Sequence, residues 1–243
     1  MHAHLSSLHR LTLSSNEFGG RLVPVSNGGE CILQPDESII QGTRMATDPQ
    51  GRYTTMQSVP FHREIYDWSP LCDDTTTRVN VIWHTHPCHV VDGVVRLAPP
   101  SVDDFTAHAI LGNLRQKAVN GVINTYVVVA REGYYVYTSD GDNVIDIPHF
   151  NHHIDPPPNV QAQVTHMMDE VLMRFFSDFE HESHRFCQHY NLQTHHELDT
   201  FLQNASHRYA LADFINNTLY MQAIADMGMI CRFIPFTGGI VQI

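Results

Sequence analysis

Two histidines separated by one residue, His84 and His86, are the strongest chemical signal in the chain. They follow the apolar segment 79–83, whose composition is typical of a buried strand. Side chains two residues apart in a strand lie on the same side, so both imidazoles can reach one point. Two imidazoles and a carboxylate leave one position open for water, the arrangement that catalytic zinc uses. The pair therefore indicates a hydrolytic metal centre.

A second polar segment, Ser101 to Asp104, offers a hydroxyl and a carboxylate that could complete such a centre. It follows two prolines and precedes a helical pattern, so it also resembles a capping box at the start of a helix. For an isolated motif, the helix cap is the simpler interpretation. The histidine pair favours a metal site as well, because a carboxylate in the first helical turn can still face a metal.

The abundance of histidine offers an alternative to a metal site. The chain contains 18 histidines, so pairs at this spacing also arise by chance as hydrogen-bonded or exposed imidazoles. A second histidine-rich stretch spans 181–196, and its His181-Glu182-Ser183-His184 run is one residue short of the His-Glu-x-x-His zinc pattern. We expect this stretch to form an exposed helix face.

The elements around the motifs predict an α+β fold with a mixed β-sheet. A proline-rich break at 155–158 separates the strand-rich part from a part with helical periodicity. We therefore expect a domain at residues 1–150 and a mainly helical extension at residues 151–243 that ends in a strand. Predicted strands cover 16–25, 79–83, 125–130, 134–138 and 229–235, and predicted helices begin near 101, cover 160–186 and cover 198–227.

Composition excludes several function classes. The net charge is −12 and no basic stripe is visible, which argues against nucleic acid as a partner. The five cysteines are scattered without a Cys-x-x-Cys pair, which argues against a disulfide framework or a zinc ribbon. The sequence contains no apolar run of about 18 residues, so it predicts no membrane span. Its start lacks the features of a signal peptide. We expect a cytoplasmic or nuclear protein that is not secreted.

Three segments together resemble the motif of the JAMM (MPN+/JAB-domain) zinc metallopeptidase family. They are Glu17-Phe18-Gly19-Gly20-Arg21-Leu22, His84-Thr85-His86-Pro87 and Ser101-Val102-Asp103-Asp104. The resemblance covers roughly residues 5–150, and the combination is specific although each piece alone is weak. It implies an MPN/JAB-like (cytidine-deaminase-like) mixed sheet flanked by helices, with residues 151–243 as a helical extension.

The resemblance also implies a role for each matching residue. His84, His86 and Asp104 would bind Zn²⁺, Glu17 would act as general base and proton shuttle for the attacking water, and Ser101 would help to stabilise the oxyanion. The implied activity is that of a zinc-dependent isopeptidase or peptidase acting on ubiquitin or ubiquitin-like conjugates. Which modifier or linkage is cleaved stays open.

Other functions also stay open. A non-catalytic MPN-like scaffold or interaction module is one alternative, although the complete ligand set argues against it. A zinc hydrolase of another peptide or amide is a second. Residues 160–243 could pack on the domain, present a partner surface, or take part in a homo- or hetero-oligomer.

Two features depart from the family pattern or leave it ambiguous. The segment 87–100 is about twice the family's usual length, an insertion that a surface loop accommodates at little entropic cost. It could loop out, form a flap that faces the substrate, or block the groove. Glu30 and Glu64 also precede the histidine motif, but only Glu17 has the matching Gly-x-Leu context.

Overall fold

The computed structural model describes residues 2–27, 30–35, 40–47, 53–55, 79–108, 123–139, 158–238 and 240–242. Its strands are β1 (His2–His4), β2 (Asn16–Asn27), β3 (Glu30–Pro35), β4 (Ile40–Thr47), β5 (Tyr53–Thr55), β6 (Val79–Thr85), β7 (His89–Val91), β8 (Val94–Arg96), β9 (Ile123–Val129), β10 (Gly133–Ser139), β11 (Met229–Pro235) and β12 (Ile240–Gln242). Its α-helices are α1 (Val102–Ala107), α2 (Pro158–His189), α3 (His195–Gln203), α4 (Ala205–Asn216) and α5 (Leu219–Asp226), and a 3-10 helix covers His9–Leu13.

A mixed 10-stranded sheet forms the frame of the molecule. Its main path runs β11-β10-β9-β6-β2-β3-β1-β12, and β4 pairs with β2 and carries β5 at its other side. The β6–β9 and β1–β3 pairs are parallel, and the remaining ladders of the described residues are antiparallel. The predicted α+β class with a mixed sheet is confirmed at this level.

The central strand β6 is buried on both faces, which explains its continuous apolar sequence. Val81 and Trp83 belong to one hydrophobic core, and Ile82 belongs to the core on the opposite side of the sheet. Because side chains alternate along a strand, His84 lies on the same side as Ile82. That side carries buried residues of the C-terminal helices, so the histidine motif begins at the helix-covered face.

The C-terminal helices follow the sequence prediction in extent but not in number. The predicted helical stretch 198–227 is divided into α3, α4 and α5. The division falls where polar side chains cap new helices: Asn204 accepts from the Ser206 N–H at 2.8 Å, and Thr218 accepts from the Met221 N–H at 3.4 Å. Local caps thus override a helical periodicity that runs through all three segments.

The long α2 packs against the same face of the sheet. Leu172, Phe179 and Cys187 are buried in the core that also contains Phe105 of α1 and Tyr220 of α5. The predicted boundary near residue 150 lies outside the described residues, so the two-domain division stays a prediction. Within the part of the chain that the structure describes, no helix is long and apolar enough to cross a membrane.

The insertion at 87–100 contains a small hairpin made of β7 and β8. Its two turn residues, Asp92 and Gly93, have φ angles of 52° and 73°. Asp-Gly with positive φ at both positions is the preferred connection for a two-residue hairpin, because its twist matches that of the strands. The insertion therefore has a defined local structure.

This hairpin is docked on the helical extension. Val95 is 1% exposed, and its N–H donates to the Leu192 carbonyl at 2.8 Å. Arg96 forms an ion pair with Glu180 of α2. Apolar burial, a backbone hydrogen bond and an ion pair together hold the insertion against α2 and the residues that follow it, so the insertion does not loop out.

The 3-10 helix is tied to the sheet and to α3 through Arg131. His9 is 6% exposed, its ring stacks on Phe236 at 3.6 Å, and its Nε2 donates to the Arg131 carbonyl at 2.6 Å. The Arg131 Nη1 donates to His9 Nδ1 at 3.3 Å, and its Nε donates to Asp199 Oδ1 at 2.8 Å. Burial lowers the pKa of His9 to about 4, because a protonated ring would have to face the guanidinium without water.

We expect His9 to make the protein less stable as the pH falls from 6.5 to 4. The unfolded chain takes up the proton near pH 6.5 and the folded protein only near pH 4, so the unfolded state binds more protons in this window. Between pH 7 and 5 the loss amounts to about 2 kcal/mol for this group. Urea unfolding at several pH values, compared with His9→Phe, measures it: the variant should show a shallower decline, and an equal decline in both proteins would contradict the assignment.

Candidate metal centre

The histidine motif is positioned by the end of β6. Residues 79–85 pair in parallel with β9, and the His86 N–H donates to the Val129 carbonyl at 3.0 Å, which extends this ladder past the strand end. His84 and His86 therefore keep strand geometry and lie on one side of the sheet. Their Nε2 atoms are 3.1 Å apart.

The carboxylate arrives from the first turn of α1. Ser101 caps the helix: its Oγ accepts from the Asp104 N–H at 3.2 Å, and Asp104 Oδ2 accepts from the Ser101 N–H at 2.6 Å. The predicted capping box is confirmed. The same carboxylate meets both imidazoles, with Oδ1 at 3.0 Å from His84 Nε2 and Oδ2 at 3.2 Å from His86 Nε2. Asp104 thus belongs to the helix cap and also lies where the predicted metal ligand is expected.

These three side chains form a group that could hold a metal ion. A tetrahedral zinc ion with its usual bond lengths holds its ligand atoms roughly 3.3 Å from one another, and one ligand atom from each of the three side chains lies within 4.8 Å of the other two. His86 Nδ1 donates to the Ala98 carbonyl at 3.2 Å, so once Nε2 has lost its proton the lone pair on that atom points at the other two ligands. The donor set therefore fits a cation.

The electrostatics of the group favour positive charge at this place. Burial by itself lowers the pKa of His86, but the charge of Asp104 and its hydrogen bond reverse the effect and raise that pKa to about 9. Burial by itself raises the pKa of Asp104, and the two imidazoles hold it well below its usual range. A carboxylate that is 2% exposed thus keeps its charge because positive charge can form beside it.

Glu17 reaches the group from β2. Gly19 pairs with His84 across the antiparallel ladder, and the Phe18 N–H donates to Thr85 Oγ1 at 2.9 Å. Continuing this register places Glu17 opposite His86, on the same face as both histidines. The ladder between β2 and β4 is irregular at this position, a feature often found beside active sites.

The environment of Glu17 suits proton transfer. Burial raises its pKa to about 7, the charge of His86 acts to lower it, and the charge of Asp104 acts to raise it. A carboxyl group that titrates near neutral pH can both accept and donate a proton during a reaction. Glu17 is half-buried, so water can still reach this side of the group.

Ser101 is close to the group, but its hydroxyl donates to Asp104 Oδ2 at 2.8 Å. For the predicted oxyanion role, this hydrogen would have to turn away from the carboxylate. That role stays a prediction.

Ala98 was not identifiable in the sequence, since a backbone carbonyl that orients a ligand can belong to any residue type.

The other candidates lie apart from this group. Among the described residues, the set of His, Cys, Asp and Glu ligand atoms that meet within 4.8 Å comprises His84, His86 and Asp104, without Cys88. His181 is exposed, and its Nδ1 bonds to the Ser177 carbonyl of its own helix at 2.7 Å, in agreement with an exposed helix face. Glu64 lies outside the described residues.

Comparisons of the chain with protein-family models, with curated proteins and with solved structures found no match. The chemistry of the site is therefore inferred from its own residues.

We expect the wild-type protein to bind about one zinc ion per chain at this group. His86→Ala should abolish that binding, because two ligands remain. Asp104→Asn should weaken it strongly while the amide oxygen preserves the cap. Metal analysis after dialysis, with a chelator competition titration, measures both effects.

The control for this experiment is His195→Ala, which removes an exposed histidine from α3 and should leave binding unchanged. Binding that survives in His86→Ala but is lost in His195→Ala would place the metal elsewhere.

Proposed function

We propose that this chain is a zinc-dependent peptidase or isopeptidase of the JAMM type. The observation that carries the proposal is the group formed by His84, His86 and Asp104, with Glu17 placed opposite His86 by the register of β2 and β6. A metal-ligand set beside a carboxyl group is the combination that hydrolysis by an activated water requires. An MPN/JAB-like fold is part of the proposal.

Zinc is the proposed metal because of the ligand chemistry. Two imidazole nitrogens and one carboxylate oxygen match the three-ligand sets of catalytic zinc sites. When bound, zinc lowers the pKa of water toward about 7 and polarises the carbonyl of the substrate. The protein supplies the fixed ligand positions through β6 and the α1 cap.

The remaining steps are assigned to residues of the chain. Glu17 accepts a proton from the attacking water and later delivers it to the leaving amine, and its raised pKa suits both steps. The Ala98 carbonyl keeps the His86 ring in one orientation. Ser101 would donate to the oxyanion after its hydroxyl rotates away from Asp104.

The proposed substrates are conjugates of ubiquitin or a ubiquitin-like protein, in the cytoplasm or nucleus. This part of the proposal is supported by the resemblance of the three motifs, since fold and site geometry alone do not fix a substrate. Hydrolysis of another peptide or amide would use the same centre. A non-catalytic scaffold would leave the poised carboxyl group of Glu17 without a use.

We expect Glu17→Gln to keep the metal and to lose about 10²- to 10⁴-fold in turnover, because the amide cannot accept the proton. Cleavage of ubiquitin and ubiquitin-like fusions, isopeptide-linked dimers and unrelated peptides, together with zinc content, measures the effect. Glu170→Gln, at an exposed position of α2, is the matched control and should cleave as the wild type does.

Each outcome separates one alternative. Full activity of Glu17→Gln would show that another group is the base. Cleavage of unrelated peptides alone would move the substrate class away from ubiquitin-like conjugates. A wild-type protein that binds zinc and ubiquitin but cleaves nothing would be a scaffold.

A further inference from the structure

A second buried carboxylate, Glu132, lies in the turn between β9 and β10. It is 1% exposed, and its backbone is fixed because the Phe236 N–H donates to its carbonyl at 3.0 Å. The turn itself is closed by the Ala130 N–H, which donates to the Gly133 carbonyl at 2.9 Å. Gly133 is required there, since a Cβ atom at this position would lie 2.3 Å from the Ile234 carbonyl oxygen. The turn therefore presents Glu132 from a rigid base.

The side chain of Glu132 is held by neutral donors. Its Oε1 accepts from the Ala98 N–H at 2.6 Å and from the Tyr135 hydroxyl at 2.9 Å. Burial raises the pKa of Glu132, and these hydrogen bonds act against the rise. No ion pair to Glu132 is found within the described ranges. A buried carboxylate whose hydrogen bonds come only from neutral donors is costly for folding, so a purely stabilising role explains it poorly.

The contact with Ala98 links Glu132 to the metal centre. Ala98 receives the Glu132 contact at its N–H, and its carbonyl accepts from His86 Nδ1 at 3.2 Å. One residue therefore separates the carboxylate from a ligand of the metal site. A histidine ligand normally depends on such an acceptor at its second nitrogen for its tautomer and ring orientation.

The segment that contains Ala98 is held from two sides. It belongs to the insertion at 87–100, which enters the site after the β7–β8 hairpin. Ala98 precedes Pro99, which restricts its backbone to extended conformations, and the Tyr220 hydroxyl donates to the Pro100 carbonyl at 2.8 Å. The segment is thus stiff and held from the α5 side, and Glu132 holds it from the sheet side.

We propose that Glu132 is a positioning residue of the metal centre, which acts on His86 through the backbone of Ala98. The inference rests on the proposed function in one respect, namely that the group of His84, His86 and Asp104 binds a metal. Glu132 touches neither the metal site nor the substrate. Its contribution is to keep the Ala98 carbonyl where the His86 ring can donate to it, so that Nε2 points at the shared ligand position.

Three variants at this position separate the possible effects. Glu132→Ala removes the acceptor for Ala98, Glu132→Gln keeps an acceptor oxygen but loses the charge, and Glu132→Asp keeps the charge but shortens the side chain by one methylene. Tyr135→Phe is the matched control, because it also breaks the Tyr135–Glu132 bond but leaves the Ala98 contact in place.

The measurement is zinc affinity by competition with a chromogenic chelator, together with the visible absorption spectrum of the Co²⁺-loaded protein. We expect Glu132→Ala to bind zinc 10- to 100-fold more weakly and to show a changed Co²⁺ spectrum. Glu132→Asp should weaken binding in the same direction, whereas Glu132→Gln should restore most of the affinity. Tyr135→Phe should keep the affinity and spectrum of the wild type, even if its unfolding temperature falls.

The outcomes are distinct. Unchanged zinc affinity and spectrum in Glu132→Ala would refute the positioning role while the proposed function stands. Should that variant not fold, Glu132→Asp decides in the same way. An equal loss in Tyr135→Phe would show that Glu132 acts only through general stability. A wild-type protein that binds no zinc would refute the proposed function and this inference together.

Discussion

The buried carboxylate of Asp104 is the point on which the rest of the site depends. Its Oδ2 accepts from the backbone N–H and the hydroxyl of Ser101 and also faces His86, while its Oδ1 faces His84. Removing this charge from water is costly unless partners compensate for it. The helix cap and the imidazoles each compensate part of that cost, so the start of α1 and the end of β6 are fixed together. A cation at the same place would complete the compensation.

The sheet supplies the second constraint. Because β6 is buried on both faces, its register with β9 and β2 cannot slip without moving Trp83 and Ile82 into the wrong cores. This register carries both histidines to one side, and the β2 ladder brings Glu17 to the same side. The packing of apolar side chains in the two cores thus fixes the positions of the polar side chains at the site.

Local patterns predicted the elements that depend on near neighbours. The strand at 79–83, the hairpin of β9 and β10 and the Ser101 cap all follow from periodicity, turn residues or a capping box. Glu17 was identified by its motif context alone. The docking of Val95 on Leu192 and the contact of Glu132 with Ala98 were not predictable, because each joins residues far apart in sequence whose types give no signal. The three-way split of the 198–227 helical stretch depended on single capping side chains.

The insertion between the histidines and α1 has a physical consequence for the helical extension. Lengthening a loop costs little entropy, but a free insertion would leave the Ala98 carbonyl mobile and the His86 ring without a fixed acceptor. Docking on α2 through Arg96 and Glu180, and on α5 through Tyr220, removes that mobility. The helices therefore stabilise a site to which they contribute no ligand. A change that shifts α2 or α5 would therefore reach His86 through this segment.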